Sequence, residues 1–162
     1  MATQTVTITV ESSAFQNGQP VPVKYTGEGD NISPPLNWSN VPCGAKQLVL
    51  ICDDPDAPSG TFVHWVLYNI PLSVSSLAEN VAKGPNPANS KGSANGANTT
   101  GNLGYIGPMP PKGHGRHHYY FTIYALDKEL DLEPGLSKDE VLTSLKGHIT
   151  GQGQVMGTYE RK

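Results

Sequence analysis

Residues 47–70 read QLVLICDDPDAPSGTFVHWVLYNI, and this stretch decides the fold class. Gln47–Cys52 is a short, almost unbroken apolar run, the pattern of a strand buried on both faces. It should end at once, because the following DDPDAPSG brings aspartates and prolines that oppose ladder pairing. Phe62–Ile70 is β-branched and aromatic again, so it reads as a second strand. Polar His64 is embedded in it, and Pro71 should stop it.

Outward from that stretch, Val6, Ile8 and Val10 alternate with threonines, the period of a half-buried strand. Residues 16–47 are dense in Gly, Pro and Asn, with room for short strands at Val21–Tyr25 and Leu36–Trp38. His117–Leu126 (HHYYFTIYAL) is a third long strand. Ser137 and Glu140 have capping-box spacing, so a helix is expected over 138–148, ended by Gly151. Gln154–Glu160 reads as a last strand. Residues 83–104 contain almost no apolar side chain and read as a mobile polar loop. One or two short helices among six or more strands predict a mainly β chain. The expected architecture is an antiparallel β-sandwich with Greek-key connections, with residues 1–162 as one domain.

Composition narrows the function. Gly 18 and Pro 14 in 162 residues, with no repeat period, indicate many turns between short strands rather than collagen or disorder. The net charge is -3 and there is no polybasic run, so nucleic acid and anionic membranes are poor partners. The N-terminus MATQTVTITVESS lacks the basic and apolar regions of a signal peptide, and no segment has the ~20 apolar residues of a membrane span. A cytoplasmic protein is expected, and the sequons at Asn31, Asn37 and Asn98 then carry no meaning. Cys43 and Cys52 fit no metal or redox spacing, and a bridge between them stays open; Cys52 reads as a small buried hydrophobe.

Three polar clusters sit on or beside the expected core strands: Asp53-Asp54-Pro55-Asp56, His64, and His117-His118-Tyr119. On a strand, His117 and Tyr119 share one face and His118 and Tyr120 the other. If the three long strands are neighbours, Asp54, His64 and His117 converge at one sheet end. An aspartate beside two imidazoles favours their protonated forms, and two cationic imidazoles with a phenol hydroxyl suit phosphate or carboxylate. Tyr105–Gly113 would wall such a cleft with stiff proline backbone. His114 and His118 read as surface residues, and His148 as a residue at the helix C-terminus. A metal site from His114, His117 and His118 lacks carboxylates at ligand spacing. No GxSxG elbow is present. GQGQVMG at 151–157 has the wrong spacing for a nucleotide loop. No cofactor or metal is expected, and no catalytic residue is assigned.

DPDAP at 54–58, His64-Trp65-Val66, and YxGPxPPxGxxxHxYxF across Tyr105–Phe121 together resemble the phosphatidylethanolamine-binding protein family, which includes the Raf kinase inhibitor protein. The compact loops and the ending GTYER resemble its bacterial and archaeal branch. The resemblance runs from SPPLxW at 33–38 to the C-terminus. It implies a β-sandwich with an anion pocket for phosphate, acetate, phosphorylated head groups or phosphorylated residues. By motif, Asp54, His64, His117 and Tyr119 would bind ligand, with Trp65, Gly107, Pro108, Met109, Pro110 and Pro111 lining the cleft. Asp56 would brace the loop. Eukaryotic members carry a C-terminal helix over the pocket, whereas this sequence ends at Lys162 after its last expected strand. The resemblance therefore implies weak or no lipid binding and a surface suited to a homodimer. The leading expectation is a non-enzymatic binding and regulatory protein. Inhibition of a kinase or serine protease through a surface loop is the alternative, and a cryptic hydrolase using His117 as base is a remote one.

Overall fold

Period-two burial along one strand, β8 (His117–Leu126), organises the molecule: its odd-numbered side chains are buried and its even-numbered ones mostly half-exposed. A computed structural model describes residues 5–162. Met1–Gln4, part of the segment read as lacking a signal peptide, lie outside the described residues. In chain order the other strands are β1 (Val6–Thr7), β2 (Thr9–Glu11), β3 (Leu36–Ser39), β4 (Gln47–Asp54), β5 (Phe62–Pro71), β6 (Ser76–Leu77), β7 (Ala94–Asn95) and β9 (Ile149–Tyr159), with one α-helix, α1 (Lys138–Leu145). The larger sheet has the order β1-β9-β8-β4-β5-β7 and the smaller one β2-β3-β6.

The expected neighbourhood of the three long strands is present: β4 lies between β5 and β8, antiparallel to both. The larger sheet is nevertheless mixed, because β1 pairs in parallel with β9, and this corrects the purely antiparallel expectation. Tyr119, Phe121 and Ile123 join Leu50, Cys52, Trp65 and Leu67 in a buried cluster that also holds Val10, Leu36, Trp38 and Leu77 from the smaller sheet. On the opposite face, Val49, Ile51, Val66 and Tyr68 pack with Val141 and Leu145 of α1. Burial of β4 on both faces is what its continuous apolar run encodes.

Several boundaries differ from expectation, each for a physical reason. β4 runs on through Asp53 and Asp54, which pair with Val63 and Phe62, because the first proline comes only at residue 55. The N-terminal alternation breaks into two strands that belong to different sheets. Val23–Tyr25 is a turn of 3-10 helix following Pro22, not a strand. The capping box at Ser137 and Glu140 is formed, yet α1 stops at Leu145, with left-handed Gly147 (φ 81) just beyond. His148 therefore lies past the helix and bonds Asp127. Strand β9 begins five residues before the expected Gln154 and contains Gly151. A Cβ on Gly153 would fall 1.7 Å from the Ile8 carbonyl oxygen, so glycine is what lets β9 approach the N-terminal strand. Cys43 and Cys52 are both free, the first exposed and the second buried.

The polar 83–104 segment is built into the fold. It contributes β7, which pairs with β5. Asn95 is fully buried; its side chain accepts from Trp65 Nε1 at 3.0 Å and donates to the carbonyls of Ala82 and Gly84 at 3.0 and 2.9 Å. The expectation of a mobile loop fails because amide side chains replace apolar ones as its anchors.

Candidate functional site

The site forms where β4, β5 and β8 end together. Residues 117, 119 and 121 of β8 face the shared core, and Asp54 continues the same face of β4 beyond Cys52. Strict alternation would turn His64 to the other face, since Val66 and Tyr68 pack toward α1. A register shift between Cys52–Trp65 and Asp53–Val63 adds one residue to β5 at His64. This bulge swings the ring against Tyr119, edge to face at 5.2 Å between centroids. The freed His64 carbonyl accepts from Ile106 N at 3.0 Å.

The wall opposite is Tyr105–Pro111, and it is pinned from outside. Tyr105 donates to Tyr25 O at 2.6 Å, Gly107 N to Asn31 Oδ1 at 2.7 Å, and Gly27 N to Pro108 O at 2.9 Å. Gly107 is required, because a Cβ there would lie 2.4 Å from the Tyr25 carbonyl oxygen. Arg161 Nη1 donates to Pro110 O at 3.1 Å and holds the far end.

Between wall and strand ends lies a cleft of about 240 Å³. Asp54, His64, His117 and Tyr119 supply its polar groups, and Gly107, Met109, Pro110 and Pro111 line it as well. Trp65 and Pro108 do not. Trp65 is sealed in the core against Tyr105, and Pro108 uses its carbonyl on Gly27. Ala57, Pro58, Phe62 and Ile106 complete the lining and were not singled out from sequence. Ala57, Pro58 and Ile106 lie inside the motifs that carry the resemblance and Phe62 two residues before His64, which was the signal available. Asp56 Oδ2 accepts from both the backbone N and Nδ1 of His118, at 2.9 and 2.7 Å, and ties the β4–β5 turn to β8. The His118 hydrogen bond, working against burial, holds the Asp56 carboxyl below its usual range.

Hydrogen bonds fix most of the protons. Asp54 Oδ1 accepts from Asp56 N at 2.7 Å, and its Oδ2 accepts from His117 Nδ1 at 2.7 Å. His64 Nδ1 lies 2.6 Å from Ile106 O, a group that can only accept, so this nitrogen carries the proton. Burial, opposed by the Ile106 bond and the Asp54 charge, lowers the His64 pKa below its ordinary value. The two cationic imidazoles expected from sequence are thus corrected at His64, where burial outweighs the carboxylates. Burial first, and then the Asp54 charge, push the Tyr119 phenol far up, so it stays a donor. His114, read as a surface residue, bonds His117: its Nδ1 lies 2.6 Å from His117 Nε2. The glycines on either side of it and its spacing of three from His117 were the signal for this contact. His118 points instead to Asp56, so the three histidines do not converge.

Known proteins share this architecture. A family model described as phosphatidylethanolamine-binding protein matches residues 11–160. A UPF0098 protein of Methanothermobacter thermautotrophicus is 49% identical over 152 residues, covering 94% of this chain and 98% of the relative. The crystal structure of a putative phosphatidylethanolamine-binding protein homologue from Chlamydia trachomatis superposes with a TM-score of 0.86 at 42% identity, covering 96% of this chain and 99% of that one. That of E. coli YbcL, described as a new member of the mammalian family, gives 0.88 at 32% identity with the same coverage.

Proposed function

Because the chain belongs to the phosphatidylethanolamine-binding protein family, we propose that it is a non-enzymatic binding protein whose cleft takes a small phosphorylated or carboxylated anion. The observation that carries this reading is the convergence of Asp54, His64, His117 and Tyr119, from three strands, in one cleft. A ligand meets the Tyr119 hydroxyl as a donor and His64 Nε2 as an acceptor while that ring is neutral. The anion therefore either brings a proton, as hydrogen phosphate does, or binds as His64 takes one up. The apolar rim of Phe62, Ile106 and Met109 favours a ligand with a nonpolar part beyond its charged end.

An anion beside His64 raises the ring's pKa above its burial-lowered free value. For an anion of fixed charge, such as sulfate, affinity therefore rises as pH falls through the bound-state value and levels off below the free one. The non-enzymatic reading is supported by a Tyr119 phenol held protonated and by a lining that, among the described residues, has no serine, threonine or cysteine.

Inhibition of a kinase or serine protease is the lesser reading, since the 83–104 segment is bonded into the sheet rather than free to dock. A cytoplasmic setting is part of the proposal, supported by two unpaired cysteines. Histidine NMR during titration with phosphate and phosphoethanolamine tests the reading. Selective shifts at His64 and His117, lost in His117→Ala, are expected. No shift at millimolar ligand would mean that these residues serve only as scaffold.

A further inference from the structure

The hydrogen-bonding capacity of His117 is used up within the protein. Its Nδ1 donates to Asp54 Oδ2, and its Nε2 lies 2.6 Å from His114 Nδ1, with ring centroids 4.9 Å apart at 60°. An imidazole has only these two nitrogens. His117 lines the cleft yet keeps no hydrogen-bonding position for a molecule inside it.

The side chain that takes the second position is built to leave. His114 is exposed and stands outside the cleft lining. It is flanked by Gly113 (φ 74) and Gly115 (φ 93), both left-handed and both with open space where a Cβ would go. Two backbone bonds tether the turn, Gly113 N to Arg161 O at 2.9 Å and His114 N to Pro111 O at 3.1 Å. A glycine-flanked turn of this kind can change conformation with little steric resistance.

We propose that His114 is a positioning residue that competes with the ligand for His117 Nε2, so that an anion binds His117 only by displacing it through a swing of the 113–115 turn. The proposal rests on the anion-binding reading above. The competition sets a threshold. A charged oxygen forms a stronger bond to an imidazole N–H than a neutral acceptor does. An anion therefore displaces His114 where a neutral hydroxyl does not, and the contact filters the cleft for strong acceptors. His117 Nδ1 already donates to Asp54, so an anion can bond Nε2 only with a proton on that nitrogen, and His114 Nδ1 is then the acceptor it replaces.

Calorimetric titration of the full chain and of His114→Ala with sulfate at neutral pH tests this. The variant is expected to bind sulfate about three- to tenfold more tightly at neutral pH, the scale of one net hydrogen bond. If the wild type binds sulfate and the variant binds it equally or more weakly, the competition is wrong and the anion cleft stands. If neither protein binds sulfate, the anion reading itself fails and the competition falls with it.

Discussion

Two Gly- and Pro-rich stretches follow one another along the chain, and they behave in opposite ways. Residues 83–104 carry almost no apolar side chain, yet Asn95 and Asn98 are buried and their amides are spent on backbone carbonyls and on Trp65. Residues 105–115 begin as a pinned wall and end in a Gly-His-Gly turn held by two backbone bonds. What separates order from freedom here is where the backbone and amide hydrogen bonds go, not the density of glycine and proline.

The largest effect is expected at Asn95. Replacing it with alanine strands Trp65 Nε1 and two carbonyls in a buried place, at a cost of about 2–5 kcal/mol, measurable by urea unfolding. A loss below about 1 kcal/mol would mean that the segment is held by something other than its amides. Next comes Gly107→Ala, which drives a Cβ into the Tyr25 carbonyl and is expected to cost about 1–3 kcal/mol while weakening phosphate binding by moving the wall.

A smaller effect belongs to His64. Its folded-state pKa is lowered by burial, so the unfolded chain binds the proton more tightly. Stability should be full above the usual imidazole value of ~6.5 and fall as pH drops from there toward the lowered one, a slope that His64→Gln removes. The smallest effect is at His114, where alanine should change stability by less than about 0.5 kcal/mol. Hydrogen exchange gives the same contrast without mutation: the amides of Asn95, Gly96 and Ala97 should exchange far more slowly than those of Gly113 and His114.

These contrasts bear on how much could be read from the chain. β4, β5 and β8 were legible because double burial and period-two alternation leave direct marks in sequence. Ser137 and Glu140 announced α1 for the same reason, a local bond between residues at fixed spacing. His117 and Tyr119 fell on one face by simple alternation. His64 joined them only through a bulge, which no periodicity reveals; its place near the head of its strand, beside the ends of two neighbours, and the family motif pointed to it. The start of β9 was hidden because Gly151 and Gly153 lower its strand signal, and they are there to admit Pro42 and the Ile8 backbone, which lie far off in sequence. The anchoring of 83–104 was hidden because a buried asparagine and a solvated one look alike in sequence.

The cleft between the ends of β4, β5 and β8 and the 105–111 wall is proposed to bind an anion. Soaking crystals in selenate, whose anomalous signal marks its position, decides the matter. A peak is expected within hydrogen-bond distance of His64 Nε2 and the Tyr119 hydroxyl, with His114 turned away from His117. Selenate bound elsewhere on the protein with no peak in the cleft, at concentrations that saturate binding in solution, would contradict it.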